Sequence, residues 1–275
     1  MNQIPKIINY CWFGGKPKSK LIKKCIKSWK KMCPDYEIIE WNESNFDINM
    51  LAYTKEAYEE QKWAFVTDYV RLYVIYNNGG VYLDTDVELV KPLDNLLQYD
   101  SFFSMESAQY IATGLGFGAK KNNKLIKQMM DDYKNIHFKD ENGNIDLTPC
   151  PQRNTDSIKD TFKKIDVANR ISIINNSAFL SKEYFCPYDP ATGIMKKTIN
   201  TFGIHWYNAS WRSNKINFQR RILRPIKRII GTNNFNKLKS IIKKWLTFTK
   251  GVKYYDKKNY FKIIYKSGQK YCIYF

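Results

Sequence analysis

Asp84-Thr85-Asp86 places two carboxylates at i and i+2, just after the apolar run Val81-Tyr82-Leu83. Oxygen ligands of this kind select hard divalent cations such as Mg²⁺ or Mn²⁺. A nucleotide diphosphate needs such an ion, because its charge must be neutralised as it departs. Side chains alternate along an ideal strand, so both carboxylates serve one ion only if the chain bends between them. One of them could instead act through water. A DxD alone is equally a solvated turn at a strand end. The neighbours change the balance, since Gly79-Gly80 lets backbone approach closely and Val87 and Leu89 continue the strand beyond the pair.

The elements that must carry these groups follow from periodicity. Residues 6–13 (KIINYCWF) suit a buried first strand and end on a Gly14-Gly15 turn. Ser19–Met32 reads as a helix with Leu21, Ile22, Cys25, Ile26 and Trp29 on one face, stopped by Pro34-Asp35. Tyr36–Trp41 is a second strand. Over Trp63–Asn78, Val66, Tyr69, Val70, Tyr73 and Val74 recur at helical spacing, while Thr67, Asp68 and Arg71 share a different face. Asn77-Asn78-Gly79-Gly80 stops that helix, and VYLDTDVELV follows as one strand opening onto the carboxylates. Ser101–Met105, Ile171–Ile174 and Thr201–Tyr207 read as further strands, and Asn122–Ile136 as a helix. Alternating strands and helices point to an α/β sheet of parallel type. In such a sheet, ligands gather at the carboxyl ends of the strands.

The stretch Trp63-Ala64-Phe65-Val66-Thr67-Asp68-Tyr69-Val70-Arg71-Leu72, followed by Gly79-Gly80-Val81-Tyr82-Leu83-Asp84-Thr85-Asp86, resembles the DXD sugar-binding region of glycosyltransferase family 32. That family includes bacterial capsular-polysaccharide enzymes and fungal mannosyltransferases, with the glucosylating clostridial toxins as distant relatives. Ile4-Pro5-Lys6-Ile7-Ile8-Asn9-Tyr10-Cys11-Trp12-Phe13-Gly14-Gly15 is similar to the family's opening strand, although Asn9 stands where many members have His. The likeness touches Pro34–Ile38 and Trp41–Glu43 and returns at Thr201–Trp211, spanning about three quarters of the chain.

The resemblance implies a GT-A-type nucleotide-sugar-binding (Rossmann-like) fold, a mixed sheet with flanking helices. It also implies retaining transfer of a hexose from a nucleotide sugar, UDP-hexose in first place, to a glycan or lipid-linked acceptor in surface polysaccharide synthesis. By the same resemblance Trp12 would stack on the base. Thr67, Asp68 and Arg71 would hold the donor sugar and phosphates, for which a guanidinium fork is suited. The competing reading of Asp68 and Arg71 is an i,i+3 surface pair worth a few tenths of a kcal/mol. Tyr82 would face the sugar, or else be a core tyrosine. Asp84 and Asp86 would hold the metal with His205, a set whose nitrogen favours Mn²⁺ over Mg²⁺; the competing reading of His205 is a satisfied core histidine on an apolar strand. Ser210 and Trp211 would reach the leaving diphosphate. In a retaining scheme the departing phosphate oxygen takes the acceptor proton. An inverting scheme would need a carboxylate base, for which Glu106 and Asp156 are the candidates.

Composition bounds the rest. In 275 residues, 44% hydrophobic and 16% aromatic content fits a folded globule. No window approaches the ~18 consecutive apolar residues of a spanning helix. The N-terminus lacks the pattern of a secretory signal, so a cytoplasmic location at the inner face of the cell membrane is expected. Six cysteines without a CxxC pair, and only two histidines, argue against a zinc cluster and suggest buried free thiols.

The charge of +19 is concentrated at one end: Arg212–Phe275 carries 18 Lys and Arg against Asp256 alone. The expected division is therefore a catalytic domain over 1–212 and a basic amphipathic extension over 213–275. Residues 217–230 set Phe218, Ile222, Leu223, Ile226, Ile229 and Ile230 opposite five basic side chains. Phe235–Phe248 sets Phe235, Leu238, Ile241, Ile242, Trp245 and Leu246 opposite four lysines. Such helices suit peripheral contact with an anionic membrane through 213–250; the alternative is packing on the core. Tyr260–Phe275 reads as a hairpin turning at Ser267-Gly268. A nucleic-acid binder would share the basic tail but has no use for the DxD, so no nucleic-acid partner is expected. A phosphohydrolase of the haloacid dehalogenase type would share the strand ending in Asp84. It would also need a later acidic pair at a strand end, and Asp131-Asp132 lies in helical sequence.

Overall fold

The first strand, β1 (Ile7–Cys11), is hydrogen-bonded in parallel on one side to β2 (Glu37–Trp41) and on the other to β3 (Gly80–Tyr82). The molecule is known from a computed structural model that describes residues 3–208, 223–225, 227–248, 261–264 and 270–273. Beyond β3 come β7 (Phe117–Ala119), β5 (Ser101–Ser107), β9 (Ser177–Leu180) and β8 (Ile171–Ile174), and β6 (Tyr110–Ile111) pairs with β5. The β3–β7, β7–β5 and β9–β8 pairings are antiparallel and β5–β9 is parallel. The sheet is thus mixed and helix-flanked, as expected of a GT-A-type domain, and not of the uniformly parallel kind that strand–helix alternation suggests.

Helices α1 (Lys20–Met32), α2 (Ala52–Glu59), α3 (Trp63–Asn78) and α4 (Lys124–Asp131) flank it, followed by α5 (Cys150–Ser157) and α6 (Lys159–Phe162). One core cluster joins the sheet to α2, α3 and α4. The other joins it to Trp29 of α1 and to Leu93, Leu96 and Leu97. Ser19 caps α1 as a serine at that position should, its hydroxyl accepting from the Ile22 N–H. Gly80 brings β3 against β1: with φ of +97°, a Cβ there would stand 2.7 Å from the Ile7 carbonyl.

VYLDTDVELV does not form one strand. β3 ends at Tyr82, and β4 (Val87–Leu89) belongs to a separate two-stranded antiparallel sheet with β10 (Gly203–His205). Helix α1 holds β4 in that position. The Trp29 indole N–H donates to the Val87 carbonyl at 2.7 Å, and the Leu89 N–H donates to the Ser28 hydroxyl at 2.9 Å. Trp29 is wholly buried, and truncating such an aromatic costs about 3–5 kcal/mol.

Contacts divide the chain into two compact units, Met1–Tyr188 with Met195–Trp211, and Asp189–Ile194 with Arg212–Phe275. A six-residue segment from within the first thus groups with the basic tail. In the second unit the Arg228 guanidinium donates to the Thr192 and Gly193 carbonyls. Thr232–Phe248 is one helix, with Phe235 buried and Leu238 and Ile241 exposed. β11 (Phe261–Ile264) and β12 (Lys270–Ile273) pair antiparallel, as the hairpin reading requires. Among the described residues no helix is long and apolar enough to cross a membrane.

Candidate active site

After β3 the chain leaves the sheet and turns. The Leu83 N–H donates to the Asn9 carbonyl at 3.1 Å, the Asp84 N–H to the Gly114 carbonyl at 3.2 Å, and the Val87 N–H back to the Asp84 carbonyl at 2.9 Å. This is the bend that two carboxylates at i and i+2 need in order to face one point. Two further bonds fix Asp86: its carbonyl accepts from the Trp206 N–H at 3.0 Å, and its Oδ2 accepts from the Asn208 N–H at 2.7 Å. Strand β10 lies against Val87 and delivers His205, whose Nε2 is 3.1 Å from Asp86 Oδ1. One ligand atom each from Asp84, Asp86 and His205 lies within 4.8 Å of the others.

The three groups perturb one another's protonation. Burial raises the Asp84 carboxyl above the ordinary range, although Arg71 opposes this. Partial burial works the same way on Asp86, but the facing His205 and the Asn208 N–H outweigh that and hold it low. Burial disfavours the His205 imidazolium, yet Asp86 raises it overall. Two carboxylate oxygens and one imidazole nitrogen are a donor set that a divalent cation could take. The Asp84 side chain keeps 28% exposure, enough to meet a ligand from outside. His205 Nδ1 is buried without a hydrogen-bond partner among the described residues.

Asp68 and Arg71 are buried, which removes the surface-pair reading. Arg71 Nη2 stands 3.3 Å from Asp68 Oδ1 and 3.3 Å from Asp84 Oδ1, bridging helix α3 to the DxD turn. Thr67 braces it, the Arg71 Nε donating to the Thr67 carbonyl at 3.1 Å and Nη2 to its hydroxyl at 3.0 Å. Burial pushes the Asp68 carboxyl up to about 6, against the pull of Arg71. Tyr82 is 1% exposed with its ring 5.2 Å beneath the Arg71 guanidinium. The expected sugar contact is therefore corrected: Tyr82 supports Arg71 from the core, because its position in β3 points it between the sheet and α3.

Three groups at this site carry no sequence motif. Gly114 closes over Asp84, where a Cβ would stand 2.4 Å from Asp84 Oδ2. Cys150 and Asn154, from α5, meet Thr113 and Arg71 behind the turn. Only the alternation of small residues in Thr113-Gly114-Leu115-Gly116 hints at a close approach here.

Trp12 follows β1, its indole N–H donating to the Lys16 carbonyl at 2.7 Å and its ring lying 5.3 Å below the Lys18 ammonium. An open cleft of about 650 Å³ is lined by Gly14, Gly15, Lys16, Glu43, Tyr58 and Trp63 among others, with Trp12 itself outside the lining. Asn9 is wholly buried and structural, donating to the Gly79 and Val81 carbonyls and accepting from the Trp41 indole. Glu106 accepts from the Tyr207 hydroxyl at 3.2 Å, and Asp156 is exposed on α5. Asp131 pairs with Lys127 and Lys134 at the end of α4 and Asp132 with Ser157, so this acidic pair does not join Asp84. Ser210, Trp211 and much of 217–230 lie outside the described residues.

Residues 19–103, which include Asp68, Arg71, Asp84 and Asp86, match the glycosyltransferase sugar-binding region containing a DXD motif. Inositol phosphoceramide mannosyltransferase 3 of Schizosaccharomyces pombe is 27% identical over 146 residues, which cover 49% of this chain and 38% of that protein. Inositol phosphoceramide mannosyltransferase 1 of the same yeast is 26% identical over 113 residues, 37% of this chain and 34% of that one. The chain therefore matches less than two fifths of the length of either relative. A solved structure, the PaToxG glycosyltransferase, superposes with a TM-score of 0.46 at 20% identity, over 60% of this chain and 72% of that one.

Proposed function

We propose that this chain, which carries a family-32-type DXD sugar-binding region over residues 19–103, moves a hexose from a nucleotide sugar to a glycan or lipid-linked acceptor. The observation that carries the reading is the convergence of Asp84, Asp86 and His205 on one point, with Arg71 bridging Asp68 to the same turn. These three residues would hold Mn²⁺, or Mg²⁺, which when bound supplies positive charge to the diphosphate leaving group. The nucleoside is assigned to the open cleft lined by Gly14, Gly15, Glu43, Tyr58 and Trp63, whose glycines follow β1 at its carboxyl end, where ligands of α/β sheets gather. Asp68 accepts from donor sugar hydroxyls, and Arg71, fixed by Thr67, orients the sugar and its phosphate. In the retaining course favoured here, a phosphate oxygen takes the acceptor proton, and Glu106 orients the acceptor without acting as base.

A thermal-shift screen with UDP-glucose, UDP-galactose, UDP-N-acetylhexosamines and GDP-mannose, each with and without Mn²⁺, tests this reading. The two yeast relatives are named as mannosyltransferases, which is why a mannose donor belongs in the set. At least one nucleotide sugar is expected to raise Tm by several degrees only when the ion is present, as binding to the native state requires. Equal responses with EDTA and with Mn²⁺ for every donor would rule the reading out.

We assign the acceptor to the membrane side, as in capsular or other surface polysaccharide synthesis, with the protein held peripherally at the inner face of the cell membrane. The support is the basic tail together with the exposed Leu238 and Ile241 beside its lysines. Each Lys or Arg near an anionic leaflet contributes about 1 kcal/mol. The protein is expected to pellet with phosphatidylserine vesicles and to be released by high salt. Equal pelleting with neutral vesicles, or none with either, removes the assignment.

A further inference from the structure

We propose that Cys150 is a positioning residue, its buried side chain holding Arg71 in the bridge between Asp68 and Asp84 while Thr113 and Asn154 hold the thiol. Arg71 distributes its donors among distinct partners. Nε and Nη2 go to Thr67, Nη2 also lies against both carboxylates, and Nη1 donates to Cys150 Sγ at 3.7 Å. Without the sulfur, Nη1 would lose that acceptor in a place where the whole residue is only 5% exposed. The thiol is itself pinned. Asn154 Nδ2 donates to Sγ at 3.2 Å, and the Thr113 hydroxyl lies 3.2 Å from it. Asn154 Nδ2 also donates to Thr113 Oγ1 at 3.0 Å, which closes the triangle.

Two features separate this from ordinary core packing. Asn154 is wholly buried, yet among the described residues its Oδ1 has no partner, and its Nδ2 is oriented by Thr113 and Cys150. Leaving a buried acceptor unmatched costs free energy that an apolar residue of the same size would avoid. The cluster also unites two parts of the chain that the DxD region does not include, the loop after β6 and the first turns of α5. Thr113 is followed directly by Gly114, whose carbonyl receives the Asp84 N–H. The same segment therefore fixes both the Asp84 backbone and, through the thiol, the arginine facing its carboxylate. Burial pushes the thiol up to about 12, so it remains a neutral S–H at physiological pH, beside Asp68.

The catalytic consequence rests on the transferase reading; the positioning does not. Cys150→Val fills a similar volume without donor or acceptor, and Cys150→Ser keeps both. In crystals of Cys150→Val the Arg71 guanidinium is expected to move beyond about 4 Å from Asp84, the limit of an ion pair, and to stay in place in Cys150→Ser. In transfer assays kcat should fall about tenfold in Cys150→Val with the donor KM within about twofold, while Cys150→Ser stays within about twofold of wild type. Thr113→Val, which removes a partner of the thiol and leaves Cys150 in place, should shift kcat in the same direction by about threefold, and stands in should Cys150→Val fail to fold. An unmoved Arg71 in Cys150→Val or Thr113→Val overturns the proposal. So does a Cys150→Ser enzyme as impaired as Cys150→Val, which would mean packing and not hydrogen bonding. If wild type transfers no sugar from any donor, the transferase reading fails, and the crystal comparison still decides the role of Cys150.

Discussion

Asp86→Ala is expected to fold and to lose at least about a thousandfold in transfer, without rescue by saturating Mn²⁺, since an ion at a developing phosphate charge is worth several kcal/mol. Asp86 is where three constraints meet: His205 on Oδ1, the Asn208 N–H on Oδ2 and the Trp206 N–H on its carbonyl. The last of these does not depend on the side chain. The fold is expected to tolerate the loss because a neutral imidazole at His205 needs no carboxylate beside it. The remaining penalty is the Asn208 N–H left without its acceptor, about 1–3 kcal/mol at most. Asp84→Ala should act in the same direction and less severely if that carboxylate reaches the ion through water. Steady-state kinetics across a Mn²⁺ titration, with unfolding curves on the same samples, measure both effects. An Asp86→Ala enzyme turning over near the wild-type rate would show that the two aspartates do not serve a cation.

The elements with strong periodicity were legible from the residues. Helix α3 runs over Trp63–Asn78 as its 3.6-residue pattern and the following Asn-Asn-Gly-Gly dictate, and β8 occupies Ile171–Ile174 as expected. The expected helix over Asn122–Ile136 contracts to Lys124–Asp131: Asn123 caps its start by accepting from the Leu125 and Ile126 N–H groups, and past Asp131 the Tyr133 and Lys134 N–H groups turn back to the Met130 and Asp131 carbonyls. The single strand expected over VYLDTDVELV divides because hydrophobic alternation is the same on both sides of the turn. What separates β3 from β4 is tertiary: the Trp29 indole on the Val87 carbonyl and the pairing with β10. The DxD, Asp68 and Arg71 were visible because they lie close in sequence and in a recurring pattern. Cys150, Thr113, Asn154 and Gly114 were not, since they reach the site from distant segments and carry side chains of little chemical distinction. A free cysteine reads as core filler until the partners of its sulfur are known.

Arg71→Met should be the most destabilising change among Asp68, Arg71, Asp84 and Asp86, and its cost should depend on pH. The guanidinium is buried between two carboxylates, and removing one member of such a group costs about 3–5 kcal/mol because the others are left as uncompensated charge. Asp68 already has a folded-state pKa of about 6, above the ordinary aspartate value, with Arg71 among the influences keeping it from rising further. A carboxyl raised in the folded state binds more protons folded than unfolded. Its stabilising contribution is present at acid pH and is lost as pH rises through the folded value. Without Arg71, Asp68 and Asp84 both rise, and the window in which protonation relieves their charge moves toward neutrality. Urea unfolding should therefore show most of the loss at pH 7.5 and roughly half or less of it at pH 5. Arg71→Lys keeps a charge but not the fork that touches Thr67, Asp68 and Asp84 together, so it should recover part of the stability at pH 7.5 while transfer stays about a hundredfold down. An Arg71→Met protein equally destabilised at both pH values would mean that the arginine acts there by its bulk, and that no buried carboxylate depends on its charge.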